Sequence, residues 1–149
     1  MSDEPVTQMR SPMRIDYTVW AGSITRAFLR GLEEHKLLGF SCSSCAKVFI
    51  PPRGSCPTCA EAMGNPVELA QQGTVTAFSV IRIPFEGQVL EPPYACAHIL
   101  LDGADVPLLH IVGDCDVDAV HVGMRTEAVW ADEISPTFAS VRYFRPLER

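Results

Sequence analysis

The chain of 149 residues has no apolar run near the roughly 20 residues that a membrane-crossing helix needs. Its opening stretch, from Met1 to Arg14, is polar and lacks the apolar core of a secretory signal. These absences predict a cytoplasmic protein with no membrane partner. Lysine is absent from the C-terminal half. Residues 73–149 hold five Arg, no Lys and eleven Asp/Glu, whereas residues 1–72 balance seven Lys/Arg against seven Asp/Glu. The whole net charge of −6 therefore lies in the C-terminal half, where it would repel a phosphate backbone. No Gly-rich phosphate loop occurs, since Gly73, Gly87, Gly103, Gly113 and Gly123 stand singly. No serine sits in a nucleophile-elbow context, and His35, His98, His110 and His121 are scattered. The expectation is a chain with no catalytic residues of its own and no nucleic-acid partner.

What is present is a set of four cysteines: Cys42, Cys45, Cys56 and Cys59. They form two Cys-x-x-Cys knuckles with ten residues between Cys45 and Cys56. A knuckle puts two thiols on one tight turn, and a short hairpin brings the second pair against the first. Four thiolates converging on a tetrahedral point make a closed structural zinc site, with no position open to a substrate. Iron accepts the same ligands, so spacing alone leaves the metal open between the two. Disulfides fit poorly with a chain lacking a signal, and a redox dithiol calls for one knuckle at the head of a helix. Cys96 and Cys115 read as small, partly buried thiols rather than nucleophiles.

The rest of the chain divides readily. Residues 1–16 form a loose arm with Pro5 and Pro12. A helix is expected within residues 17–36, capped by Ser23, with Trp20, Ile24, Ala27, Phe28 and Leu32 on one stripe. Gly31 weakens it. Residues 37–66 form the ribbon, closed by a turn at Gly64-Asn65-Pro66. Residues 67–149 then read as β-structure, with strands at 74–83, 94–101, 106–112, 125–131 and 138–145. The turn Asp102-Gly103-Ala104-Asp105 joins the second and third, and residues 114–121 make one helical turn. Five strands broken after the third suit a small barrel of the oligonucleotide/oligosaccharide-binding (OB) type, with an SH3-like barrel as runner-up.

Several side chains invite a functional reading. His98 and His110 lie within apolar strands, where a hydrogen-bonded core histidine is expected. Asp114, Asp116 and Asp118 lack the glycine and terminal glutamate of a calcium loop, and read instead as carboxylates at a helix N-terminus. Phe78, Tyr94, Trp130, Phe138, Tyr143 and Phe144 alternate as core residues do. The proline-rich loop at 84–93 exposes Phe85, Val89 and Leu90 unless something covers them, either the ribbon or a partner.

The segment Leu38-Gly39-Phe40-Ser41-Cys42-Ser43-Ser44-Cys45, then Phe49-Ile50-Pro51-Pro52-Arg53 and Cys56-Pro57-Thr58-Cys59, resembles the acyl-CoA-associated proteins called domain of unknown function 35. The likeness extends over roughly residues 17–146, through the strand at 73–83, Pro92-Pro93-Tyr94 and Val122-Gly123-Met124. Ala46 departs from it, for the family often has glycine there. The resemblance implies a mainly β fold: an N-terminal helix, a rubredoxin-like zinc ribbon and a C-terminal five-stranded OB-fold barrel. It implies a non-catalytic accessory subunit that binds and stabilises a thiolase-like enzyme (thiolase, acyltransferase or steroid side-chain aldolase) and helps shape its acyl-CoA site. Zinc would be structural, and a CoA thioester would be met through the partner. Arg53 would pair with a CoA phosphate, with a partner carboxylate, or with an acid inside the ribbon. The helix at 23–34, the loop at 84–93 and the ribbon tip at 51–53 would form the contact surface. A free-standing acyl-CoA or small-ligand binder is the alternative, and a nucleic-acid-binding OB protein the third reading.

Overall fold

A computed structural model describes residues 7–8 and 15–147. Most of the arm expected over residues 1–16 lies outside the described residues. Among the described residues the chain forms one α-helix, eight strands and two short 3-10 turns.

Helix α1 (Ser23–Glu33) starts one residue earlier than a Ser23 cap would place it. Gly22 is the N-cap, in extended conformation and with no side-chain cap, and Ser23 is already helical. Phe28 and Leu32 are buried and Ile24 and Ala27 pack partly, as the stripe predicts. Trp20 does not join them: it precedes the helix and is 94% exposed. The helix ends in a left-handed residue, His35 (φ 56), and the Lys36 N–H reaches back to the Gly31 carbonyl at 2.8 Å. Gly31, costly for a helix in isolation, is required by packing. A Cβ there would lie 2.7 Å from the Leu38 side chain.

Strands β1 (Leu37–Cys42), β2 (Val48–Phe49) and β3 (Met63–Leu69) form an antiparallel sheet in the order β2-β1-β3. Gly64-Asn65-Pro66 is therefore strand, not turn, and Pro66 lies opposite Phe40. β3 is an edge strand with one side free of ladder bonds, where proline is tolerated. Residues 66 and 67, between which the sequence divides ribbon from barrel, are neighbours within β3.

Strands β4 (Gln72–Ile81), β5 (Tyr94–Leu101), β6 (Leu108–Val112), β7 (Arg125–Trp130) and β8 (Val141–Pro146) close a barrel in the order β4-β5-β6-β8-β7. All pairs are antiparallel except β6 with β8, which meet in parallel at Val112 and Phe144. This is the OB arrangement: a three-stranded meander, a crossing, then a returning hairpin. The crossing carries the 3-10 turn Val117–Ala119. A second 3-10 turn, Phe138–Ser140, occupies the start of the expected last strand, so that strand begins at Val141.

Along β5 the alternation is clean. Ala95, Ala97, Ile99 and Leu101 are buried, with Phe144 and Val75 in the same core. That alternation turns His98 outward and exposes it, contrary to the core reading. An irregularity between Val75 and Ala77 shifts the register of β4. Beyond it residues 76–79 are exposed, and Phe78 lies on the surface rather than in the core.

Candidate metal centre and an apolar barrel face

The two knuckles have the same local build. In the first, Ala46 N–H donates to the Cys42 carbonyl at 2.9 Å, and Cys42 N–H donates to the Lys47 carbonyl at 2.9 Å. In the second, Ala60 N–H donates to the Cys56 carbonyl and Cys56 N–H to the Glu61 carbonyl, both at 2.8 Å. Ala46 (φ 61) and Ala60 (φ 59) occupy the left-handed region that closes each turn. Cys42 and Cys56 are buried, and Cys45 and Cys59 half-buried.

The four Sγ atoms all lie within 4.8 Å of one another, and Cys45 and Cys56 approach to 3.7 Å. Tetrahedral sites with metal–sulfur bonds of about 2.3 Å have sulfur–sulfur edges of roughly 3.8 Å. The set thus fits a tetrahedral ion, and all four cysteines are free of disulfides. Burial opposes ionisation of Cys56. The backbone N–H groups of Cys59 and Thr58 and the Cys42 and Cys45 thiols outweigh it and bring Cys56 to about 6. Cys59 is pushed up to about 12, first by its hydrogen bond to Cys45 and then by burial. Clustered thiols hold protons that a divalent cation would displace.

The other candidates are dispersed. Arg53 is exposed and forms no ion pair among the described residues, so the expected pairing within the ribbon is not made. An exposed pair gains little over the side-chain freedom it costs. The acidic trio does not converge. Asp114 accepts from the Tyr143 hydroxyl at 2.7 Å, Asp116 caps the 3-10 turn through the Asp118 N–H at 2.9 Å, and Asp118 pairs with Arg82. Cys96 and Cys115 are half-buried as expected, and burial pushes both thiols up. His110 is partly buried, stacked near Phe138 and Phe144, and burial holds it below the usual histidine range. Among the described residues no Ser, Thr or Cys side chain hydrogen-bonds to a histidine ring.

The loop at 84–93 does expose its apolar residues: Phe85 is 63% and Val89 95% exposed. Val89 and Leu90 border a groove of about 550 Å³ whose other walls include Leu109 and Ile111 of β6 and Phe138. Phe138 in turn packs on Phe28 of α1, with ring centroids 5.4 Å apart, so loop and helix flank one surface. A neighbouring hollow of about 300 Å³ shares Cys96 and Leu109 and adds Phe78 and His98. Leu109, 62% exposed, went unnoticed in the sequence. Its signal was the adjacent pair Leu108-Leu109, of which only one side chain can face the core of a strand.

Ribbon, cysteine cluster and barrel topology define a zinc-ribbon and OB-fold protein. Two family models match in tandem: "ChsH2, rubredoxin-like zinc ribbon domain" over residues 30–64 and "ChsH2, C-terminal OB-fold domain" over residues 66–131. The chain belongs to this DUF35/ChsH2 family. A "DUF35 domain-containing scaffold protein" of Methanocaldococcus jannaschii is 29% identical over 119 residues, 79% of this chain and 84% of that one. The crystal structure of a DUF35 protein of unknown function from Sulfolobus solfataricus is 25% identical with a TM-score of 0.63, covering 84% of each chain. A chain of the "Ltp2-ChsH2(DUF35) aldolase" shares the fold at 22% identity and TM-score 0.65, covering 87% of this chain and 98% of that one.

Proposed function

We propose that the chain is a non-catalytic accessory subunit of a thiolase-like acyl-CoA enzyme. The observation that carries this reading is that the whole ribbon-and-barrel fold is shared with a component of an aldolase whose name also contains a second protein, Ltp2. The relative described as a scaffold protein points the same way. The partner supplies the groups that make and break bonds; this chain contributes a metal-pinned ribbon and apolar surface. Cys42, Cys45, Cys56 and Cys59 hold structural zinc, which cross-links two turns too small to form a core of their own. Arg53 stands exposed beyond this site, where it is available to a CoA phosphate or a partner carboxylate.

The test is reconstitution. A thiolase-like enzyme from the same source as this chain is assayed for acyl-CoA turnover alone and with the purified zinc-loaded chain. The reading expects little turnover from either chain alone and at least tenfold more from the mixture. An enzyme equally active and equally stable without this chain would defeat it.

A further inference from the structure

Residues 15–20 precede α1 and are exposed throughout. Ile15, Tyr17 and Val19, 68%, 78% and 72% exposed, recur at two-residue steps. In an extended chain that spacing puts all three on one face. The same molecule carries the apolar groove of Val89, Leu90, Leu109 and Phe138. Its lining contains no carboxylate, although the C-terminal half carries all of the net charge of −6. A second acidic barrel can approach here without facing like charge.

We propose that residues 15–20 of one chain dock in this groove on a second copy, giving a reciprocal two-fold dimer. Both halves of the contact belong to this chain, and they lie close together. Phe28 packs on Phe138, a wall of the groove, so five helical residues, about 7.5 Å, separate Ser23 at the root of the segment from that wall. Six extended residues reach about 20 Å further, enough to cross to a neighbour's groove. In the single chain the segment does not cover its own groove, and both stay exposed. Exchange about a two-fold axis places each root beside the other copy's groove, buries both segments at once and closes the assembly at two. The inference concerns this chain by itself and does not rest on an enzyme partner.

Cys96 lines the groove and supplies a native reporter. The full-length zinc-loaded chain is prepared as Val19→Cys in a Cys115→Ser background and oxidised with glutathione disulfide, which takes up the two electrons. A covalent dimer on a non-reducing gel is expected. Thr18→Cys, on the opposite side of the extended segment, should give at least fivefold less. Leu109→Asp and Tyr17→Asp should each remove the dimer from both the gel and light scattering. Tyr17 lies outside the folded body, so that variant keeps the test valid if Leu109→Asp misfolds. A disulfide closed within one chain would overturn the proposal in favour of self-docking. Equal yields from Val19→Cys and Thr18→Cys, or a monomer at every concentration, would also overturn it.

Discussion

Asp105 grips Val48 by both of its backbone groups. The Asp105 carboxylate accepts the Val48 N–H at 2.8 Å, and the Asp105 N–H donates to the Val48 carbonyl at 2.9 Å. Val48 lies on ribbon strand β2 and Asp105 in the turn between barrel strands β5 and β6. The ribbon's edge strand β2 is thus stitched to the barrel by two hydrogen bonds, one of them charge-assisted.

Asp105→Ala leaves the Val48 N–H without that acceptor. A loss of about 1 kcal/mol in unfolding free energy is expected, together with faster metal loss to a chelator, because the ribbon edge loosens first. Urea titration and a chromogenic chelator read the two effects. Unchanged metal release would show that the stitch does not support the metal centre.

Gly31→Ala tests packing against propensity. Alanine favours a helix by about 1 kcal/mol over glycine, but its Cβ would lie 2.7 Å from Leu38. The clash should prevail, with a net destabilisation of about 1–2 kcal/mol by thermal or urea unfolding. A stabilised variant would mean that α1 yields easily.

The metal centre should bind more tightly as pH rises. Cys56, lowered to about 6, is largely ionised at neutral pH, whereas Cys59, raised to about 12, still holds its proton. Zinc must displace the remaining protons, so apparent affinity should climb roughly tenfold for each proton released per pH unit. Competition titrations at pH 6, 7 and 8 measure this. A flat profile would contradict a four-thiolate site.

His110 gives the fold an acid limit. Its Nδ1 accepts the Ile111 N–H at 2.9 Å, and burial holds its pKa below the unfolded value. Because the folded state resists protonation, this contribution is complete above the ordinary histidine range and is lost as pH falls through that range to the lower folded value. His110→Gln should be less stable at pH 7.5 but should flatten the decline between pH 7 and 5. A decline of the same slope would assign it to other groups.

The parts of this fold that read directly from sequence are those fixed by local chemistry. Two Cys-x-x-Cys knuckles need their sulfurs at one point, and the alternating run of β5 has one face that can be buried. The misreadings arise where tertiary context overrides a local signal. Pro66 looks like a turn former, yet an edge strand accommodates it. Phe78 looks like core, yet the shifted register of β4 turns it out. Trp20 has helical spacing, yet Gly22 begins the helix after it. Arg53 looks like a partner for an acid of the ribbon, yet it is exposed and paired with none among the described residues. The groove at Leu109 joins residues from the loop before β5, from β6 and from the turn before β8, so no single stretch of sequence displays it.

The central claim is that this chain works bound to another polypeptide that does the chemistry. Its most direct measurement is the mass of the species that elutes when the chain is co-expressed with a thiolase-like enzyme of the same source and captured through a tag on that enzyme. The account predicts a single zinc-containing peak holding both chains in fixed ratio, lost with Cys42→Ser. Two separate peaks under every condition of salt and substrate would contradict it.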